Sequence, residues 1–94
     1  MRTLVLASSF KRAFKKLVRR QPELQELIEG RLRLLAADPF DPLLQTHKLK
    51  GKLAGSWACS VEYDCRIVFN FVGNPESGEE EILLIDIGTH DEVY

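Results

Sequence analysis

Cysteine and histidine are scarce in this sequence, with two of each. Its 94 residues include two cysteines, Cys59 and Cys65, which make neither a disulfide framework nor a complete set of metal ligands. Both fall where strand alternation points inward, so we interpret them as buried thiols. We therefore expect no metal site and no cofactor.

Long apolar segments are also missing. No run approaches the roughly 18 apolar residues that a membrane span needs, and the N-terminal stretch is too short for a signal peptide before a basic segment begins. Apolar residues make up 45% of the chain and charged residues 29%, which is typical of a globular protein in solution. We expect one domain over residues 1–94, located in the cytoplasm and not bound to a membrane.

Basic residues are almost absent from the second half of the chain. Residues 53–94 contain nine Asp and Glu but a single cation, Arg66, whereas residues 1–52 contain twelve Lys and Arg against five acids. Six of the thirteen basic residues lie within residues 11–20. This asymmetry predicts a surface that faces a polyanion, although the net charge of the whole chain is −1.

The spacing of apolar residues predicts the element order β-α-α-β-β-β. A short strand covers residues 2–7, and Ser8 or Ser9 can cap the helix that follows. Pro22 breaks this helix and starts a second one, which ends near residue 38. Each helix has one apolar stripe, made by Phe10, Phe14, Leu17 and Val18 in the first and by Leu24, Leu27, Ile28, Leu32 and Leu35 in the second.

Three more strands are predicted in the second half, over residues 57–63, 65–72 and 82–87, with a turn at 73–78. Their short connections make them an antiparallel meander. Residues 38–42 form a loop with two prolines, and lysines that alternate with other residues predict an extended segment over 47–57. The predicted fold class is α+β, a small antiparallel sheet with a helical hairpin on one face.

The strand over residues 65–72 carries an arginine in an apolar setting. Arg66 alternates with Ile67, Phe69 and Phe71, so it points away from the face that the helices cover. Burying an unpaired guanidinium costs several kcal/mol, so Arg66 is paired, exposed or retained for a function. We expect a partly open face that holds Arg66, Val68 and Asn70. The last five residues add His90 and Tyr94, and these three residue types suit phosphate chemistry without a metal.

Four blocks of the sequence resemble the RelE/ParE superfamily of bacterial toxins from type II toxin–antitoxin pairs. They are HKLKG at 47–51, LAGSW at 53–57, DCRIVF at 64–69 and IGTHDEVY at 87–94, and the last is most similar to the YafQ branch. The resemblance covers nearly the whole chain. It implies a RelE-like fold, cleavage of mRNA in the ribosomal decoding site without a metal ion, and a cognate antitoxin as partner.

The resemblance also implies site residues. His47, His90 and Tyr94 match catalytic residues of YafQ-like toxins, Asp64 matches an aspartate before the central strand, and Arg66 matches an arginine of RelE-type toxins. A further YafQ histidine is absent, because this chain has Ser60 and a shorter stretch between Trp57 and Asp64. The candidate RNA-binding residues are the RelE-like lysines Lys48, Lys50 and Lys52 and the basic helix residues Lys11, Arg12 and Lys15.

Each candidate also has a simpler structural interpretation. Arg66 can pair with Glu62 or Asp86 on neighbouring strands, and Asp64 lies in a tight turn, where aspartate is common. His47 can be a loop residue, and the basic run over 11–20 can be a solvated helix face. Two other functions also fit the resemblance. One is a ParE-like toxin that inhibits DNA gyrase without catalysis, and the other is a decayed toxin or plain RNA-binding module.

Overall fold

A five-stranded sheet with two helices on one face forms the protein in this computed structural model. The structure describes residues 1–62 and 64–89, and Tyr63 and residues 90–94 lie outside the described part. The helices are α1, Ser8–Arg20, and α2, Leu24–Ala37. The strands are β1, Leu4–Leu6; β2, His47–Lys48; β3, Trp57–Glu62; β4, Cys65–Gly73; and β5, Glu80–Thr89.

The apolar stripes of both helices lie against the sheet, as predicted. Phe10 and Leu17 of α1 are buried, and so are Leu24, Ile28 and Leu35 of α2. The predicted serine cap of α1 is wrong, since the helix is capped by Ala7 without a side-chain hydrogen bond. Ser9 instead donates its hydroxyl to the Ile85 carbonyl at 2.6 Å and so fastens α1 to β5.

The strand order across the sheet is β1-β5-β4-β3-β2. Strands β2 to β5 are antiparallel to their neighbours, which confirms the predicted meander and the α+β class. Strand β1 joins β5 in parallel, so the sheet as a whole is mixed. A parallel neighbour requires a crossover, and the two helices between β1 and the meander supply it.

Between residues 47 and 57 the chain pairs as a strand at β2, His47–Lys48, and again from Trp57, where β3 begins. A single turn of 3₁₀ helix, Gly51–Leu53, interrupts the predicted extended run. Gly51 and Gly55 adopt φ values of 70° and 96°, which residues with a side chain rarely adopt. The alternation of lysines indicated an extended segment, but these glycines turn the chain away from the sheet after Lys48.

The two faces of the sheet are both partly covered. Ile67 and Phe69 lie in the core beneath the helices, as predicted, and Phe71 is half-buried beside them. On the opposite face Arg66 and Asn70 are half-buried, as a partly open face requires, but Val68 is only 2% exposed. This face is therefore partly open, as expected, and it is closed at its centre, where Val68 and its β3 neighbour Ala58 are buried.

Connections follow the predicted turn chemistry. Asn74 begins the turn between β4 and β5, and its side chain accepts hydrogen bonds from the amides of Glu76 and Ser77. In the loop after α2, the carboxylates of Asp38 and Asp41 accept from the Phe40 and Leu43 amides. Within the described residues, no helix is long and apolar enough to cross a membrane.

Candidate functional site

Arg66 lies on β4 on the face of the sheet that the helices leave uncovered. Its cross-strand neighbours are Ser60 on β3 and Gly88 on β5. Ser60 is small and Gly88 has no side chain, so the strands leave room beside the guanidinium. Nη1 donates to the Glu62 main-chain carbonyl at 3.3 Å, which turns the head group toward the β3–β4 turn.

Asp64 lies in that same turn and is exposed. It lines a recess of about 60 Å³ together with Gln21, Glu62 and Thr89, between the link that joins the helices and the ends of the strands. The Arg66 head group points toward the turn that carries Asp64, so the structure brings these two predicted residues to one end of the sheet.

His47 lies on the short edge strand β2, which is two strands away from the β4 strand of Arg66. It pairs with Ala58, which pairs with Val68, so His47 shares the uncovered face with Arg66. With strands about 4.8 Å apart and a rise of about 3.4 Å per residue, the two Cα atoms are separated by about 12 Å. The Arg66 head group is directed toward the β3–β4 turn, away from His47, so contact of both side chains with one phosphodiester requires the Arg66 side chain to rotate toward β2.

The ring of His47 has a defined orientation. Its Nδ1 lies 3.0 Å from the main-chain carbonyl oxygen of Gln45. A carbonyl only accepts, so Nδ1 carries the proton in this contact, and the lone pair of the neutral ring is then on Nε2. An imidazole in this tautomer can accept a proton through Nε2.

The lysines near His47 differ in what they contact. Lys48 points to the other face of β2, where its Nζ lies 5.4 Å from the centre of the Trp57 ring. Trp57 belongs to an aromatic group with Phe40 and Phe71. Lys50 and Lys52 are exposed beyond the end of β2. Lys48 and His47 lie on opposite faces of the sheet, because Lys48 contacts Trp57.

A second set of basic residues lies far from these lysines. Helix α1 packs on β5 through Phe10 and Leu17 and leaves its charged side exposed. Three strand spacings of about 4.8 Å separate β5 from β2. The predicted RNA-binding residues therefore form two groups, one on the outer side of α1 (Lys11, Arg12 and Lys15) and one at the β2 edge (Lys48, Lys50 and Lys52).

The two cysteines belong to the core and not to the site. Cys59 and Cys65 are buried and are not joined in a disulfide, which confirms their interpretation as buried thiols. Burial and, to a smaller extent, the neighbouring Cys65 raise the pKa of Cys59 to about 12, although Arg31 acts in the opposite direction. At neutral pH such a thiol holds almost no thiolate, so Cys59 is a poor nucleophile.

Two predicted residues, His90 and Tyr94, lie outside the described residues. The described part of β5 ends at Thr89, which pairs with Cys65, and the preceding Gly88 pairs with Arg66. In residues 1–62 and 64–89, no group of three or more His, Cys, Asp and Glu side chains could hold a metal ion.

Gln45 and Ser60 are residues that the sequence did not single out as part of the site. The hydroxyl of Ser60 donates to Oε1 of Gln45 at 3.2 Å, and the carbonyl of Gln45 accepts from His47. Nothing in the sequence signals this contact, because it depends on an unusual backbone conformation at Gln45.

Comparison with known protein families decides what kind of protein carries this site. The model of the YafQ family, bacterial toxins of type II toxin–antitoxin systems, matches residues 2–94. The chain belongs to the YafQ toxin family. It is therefore a type II toxin, and the resemblance seen in its sequence blocks is confirmed.

Solved structures of related toxins agree with this assignment. A copper-bound mutant toxin from Helicobacter pylori is 31% identical, with a TM-score of 0.72 and complete coverage of both chains. A YoeB/ParE toxin from Agrobacterium tumefaciens is 25% identical, with a TM-score of 0.74 over 94% of this chain and 98% of that one.

YafQ from E. coli shares the fold at 16% identity, with a TM-score of 0.78 over 100% of this chain and 99% of its own. Other structures show that E. coli toxin in complex with its antitoxin DinJ. A comparison with curated protein sequences finds no match.

Proposed function

We propose that this toxin is an endoribonuclease that cleaves mRNA on the ribosome. The observation that carries the proposal is the placement of Arg66 and His47 on the same face of the sheet, the face that the two helices do not cover. A protein that only binds a partner has no need for a guanidinium near the start of an apolar strand.

The proposed reaction uses the RNA 2′-hydroxyl as the nucleophile against its own 3′-phosphate. A base removes the 2′ proton, the new O–P bond forms, and the bond from phosphorus to the 5′-oxygen breaks. An acid then protonates the 5′-oxygen. The products are a 2′,3′-cyclic phosphate or 3′-phosphate and a 5′-hydroxyl. Each positioned acid or base contributes roughly 10²–10⁴-fold to the rate.

The residues divide these roles between them. Arg66 stabilises the charge that develops on the phosphorus oxygens, because its planar head group can donate two parallel hydrogen bonds. His47 and His90 exchange the protons, and Nε2 of His47 has the lone pair that a base requires. Tyr94 stacks on a base or assists proton transfer, and Asp64 orients groups at the β3–β4 turn.

The basic residues bind parts of the RNA other than the phosphate that reacts. Lys50 and Lys52 are exposed and can contact phosphates that flank the cleavage position. Lys48 can do so only by leaving the Trp57 ring. The outer side of α1, with Lys11, Arg12 and Lys15, lies near the far edge of the sheet and suits contact with ribosomal RNA.

A cognate antitoxin is the proposed protein partner. The E. coli DinJ–YafQ complex supports this pairing, since the fold of its toxin is the same. The basic half of this chain suits a partner segment that is acidic or amphipathic and that becomes ordered when it binds.

Expression of this toxin without an antitoxin should arrest growth through cleavage of mRNA. Mapping of RNA 5′ ends after induction should reveal new 5′-hydroxyl ends within translated regions. Intact transcripts together with gyrase-dependent DNA breaks would contradict the proposal and favour a ParE-like gyrase inhibitor. An Arg66→Ala toxin expressed at the same level is the matched control, and it should leave most transcripts intact.

Cleavage should also survive removal of divalent metal from the toxin, because the proposed steps use only side chains. Toxin treated with EDTA and then exchanged into metal-free buffer should cleave mRNA on intact ribosomes at the rate of untreated toxin. The ribosomes keep their own Mg²⁺, and sedimentation confirms that they are whole. Loss of cleavage that added Zn²⁺ or Cu²⁺ to the toxin restores would contradict the side-chain mechanism.

A further inference from the structure

We infer that Ser60 and Gln45 are positioning residues, which hold His47 in the Nδ1-protonated form and fix its distance from Arg66. The inference deepens the proposed function, because it concerns the base of the proposed reaction. Three contacts carry it, and all of them lie between residues 39 and 60.

The first observation is the backbone of Gln45. Its φ of 51° places it in the left-handed region, and it is the only residue other than glycine with a positive φ in the described part of the chain. Non-glycine residues adopt this conformation rarely, and such residues cluster at functional sites. The conformation directs the Gln45 carbonyl to Nδ1 of His47, at 3.0 Å.

The second observation is how the loop around Gln45 is anchored. Leu44 is fully buried in the core on one side of it. Thr46, on the other side, donates its hydroxyl to the Pro39 carbonyl. The side chain of Gln45 is then fastened to β3 by the Ser60 hydroxyl, at 3.2 Å. The loop is therefore held at three successive residues just before His47.

The third observation is the place of Ser60 in the sheet. Ser60 pairs directly with Arg66, and side chains in such a pair have Cβ atoms about 5 Å apart. Ser60 is 9% exposed, so its hydroxyl has little water to bond. One hydrogen bond thus connects the strand position beside Arg66 to the loop that orients His47.

The chemical consequence concerns the tautomer of His47. When Nδ1 donates to the Gln45 carbonyl, Nε2 is the proton acceptor of the neutral ring. If the loop is released, the ring is free to carry its proton on Nε2, which cannot then act as a base. Ser60 and Gln45 are not catalytic residues, because they act through His47 and do not touch the RNA.

The test combines nuclear magnetic resonance with kinetics on purified toxin. The ¹⁵N shifts of the imidazole nitrogens report the tautomer, and a His90→Asn variant assigns the signals because the chain has two histidines. The variants are Ser60→Ala, which removes the hydroxyl, and Ser60→Thr, which retains it. Ser56→Ala is the matched control, since Ser56 is half-buried just before β3 and its hydroxyl makes no hydrogen bond within the described part of the chain.

We expect the wild-type ring to carry its proton on Nδ1 and the Ser60→Ala ring to shift toward Nε2 by at least about threefold in tautomer ratio. Cleavage should fall by about tenfold in kcat with little change in KM, at the low end of what misplaced groups cost. Ser60→Thr should restore both values, and Ser56→Ala should change neither. An unchanged tautomer in folded Ser60→Ala toxin would overturn the inference.

The resonance measurement does not depend on the proposed reaction. If wild-type toxin fails to cleave mRNA, the proposed function is wrong, and the tautomer shift still decides whether Ser60 and Gln45 hold His47. Gln45→Gly provides a second variant in case Ser60→Ala does not fold, because glycine accepts the left-handed backbone and only the amide side chain is lost. It should reproduce the shift, and a wild-type tautomer there would also overturn the inference.

Discussion

Arg66→Ala should lower single-turnover cleavage of mRNA on programmed ribosomes by roughly 10²-fold or more, which is the usual cost of removing a positioned charge stabiliser. The guanidinium is the group best placed to meet the charge that develops on the phosphate, since its neighbours across the strands are a serine and a glycine. Arg66→Lys keeps the charge but loses the planar pair of donors, so its rate should lie between those of the wild type and Arg66→Ala.

The fold of the Arg66→Ala protein should survive. Arg66 is half-buried on the face that the helices do not cover, apart from the core residues Ile67 and Phe69, and it donates a hydrogen bond to the Glu62 main-chain carbonyl. Arg33→Ala, at an exposed position of α2, is the matched control for loss of an arginine and should leave cleavage unchanged. An Arg66→Ala protein with a lower melting temperature but wild-type cleavage would make Arg66 a structural residue.

The parts of the fold that the sequence predicts are those set by burial of apolar side chains. Phe10 and Leu17 recur at helical spacing and Ile67 and Phe69 alternate, because each element must bury one side against the core. The sequence therefore predicts whether each segment is a helix or a strand and which of its faces is buried. The sequence also places Cys59 in the core, where the structure has it.

The parts that it does not predict depend on contacts between distant residues. Ser9 has the residue type of a helix cap but bonds to Ile85 across 76 positions, and no local pattern signals that choice. The parallel pairing of β1 with β5 likewise depends on where the helices bring the chain. The residue type of Gln45 does not predict a left-handed backbone. Burial of Leu44 and the Ser60 contact stabilise that conformation.

The same distinction between local pattern and long-range contact applies to the residues of the candidate site. Arg66 is conspicuous in sequence because a cation in an apolar strand is unusual, and its position on the face away from the helices follows from alternation. The placement of His47 on the same face as Arg66 cannot be predicted in this way, since it depends on the register of three strands. Lys48 shows the reverse case. Its spacing groups it with His47, but adjacent residues of a strand point to opposite faces, and Lys48 lies over Trp57.

His90→Ala should reduce cleavage by roughly 10²–10⁴-fold if this histidine is the general acid or base of the proposed reaction. The assignment rests on its match to the Gly-Thr-His motif of YafQ-like toxins. Gly88, the first residue of that motif, pairs with Arg66.

The comparison of His90→Ala with His47→Ala separates the two roles. A wild-type rate that depends on one acid and one base has a bell-shaped pH profile, and each variant should lose one limb of it. Loss of the low-pH limb identifies the base, which the tautomer of His47 predicts for His47→Ala, and loss of the high-pH limb identifies the acid, which leaves that role to His90. Both variants should still bind the antitoxin, because a large interface tolerates the loss of one contact. A His90→Ala toxin that cleaves at the wild-type rate across the whole pH range would remove His90 from the mechanism and leave His47 and Arg66 to act with another acid.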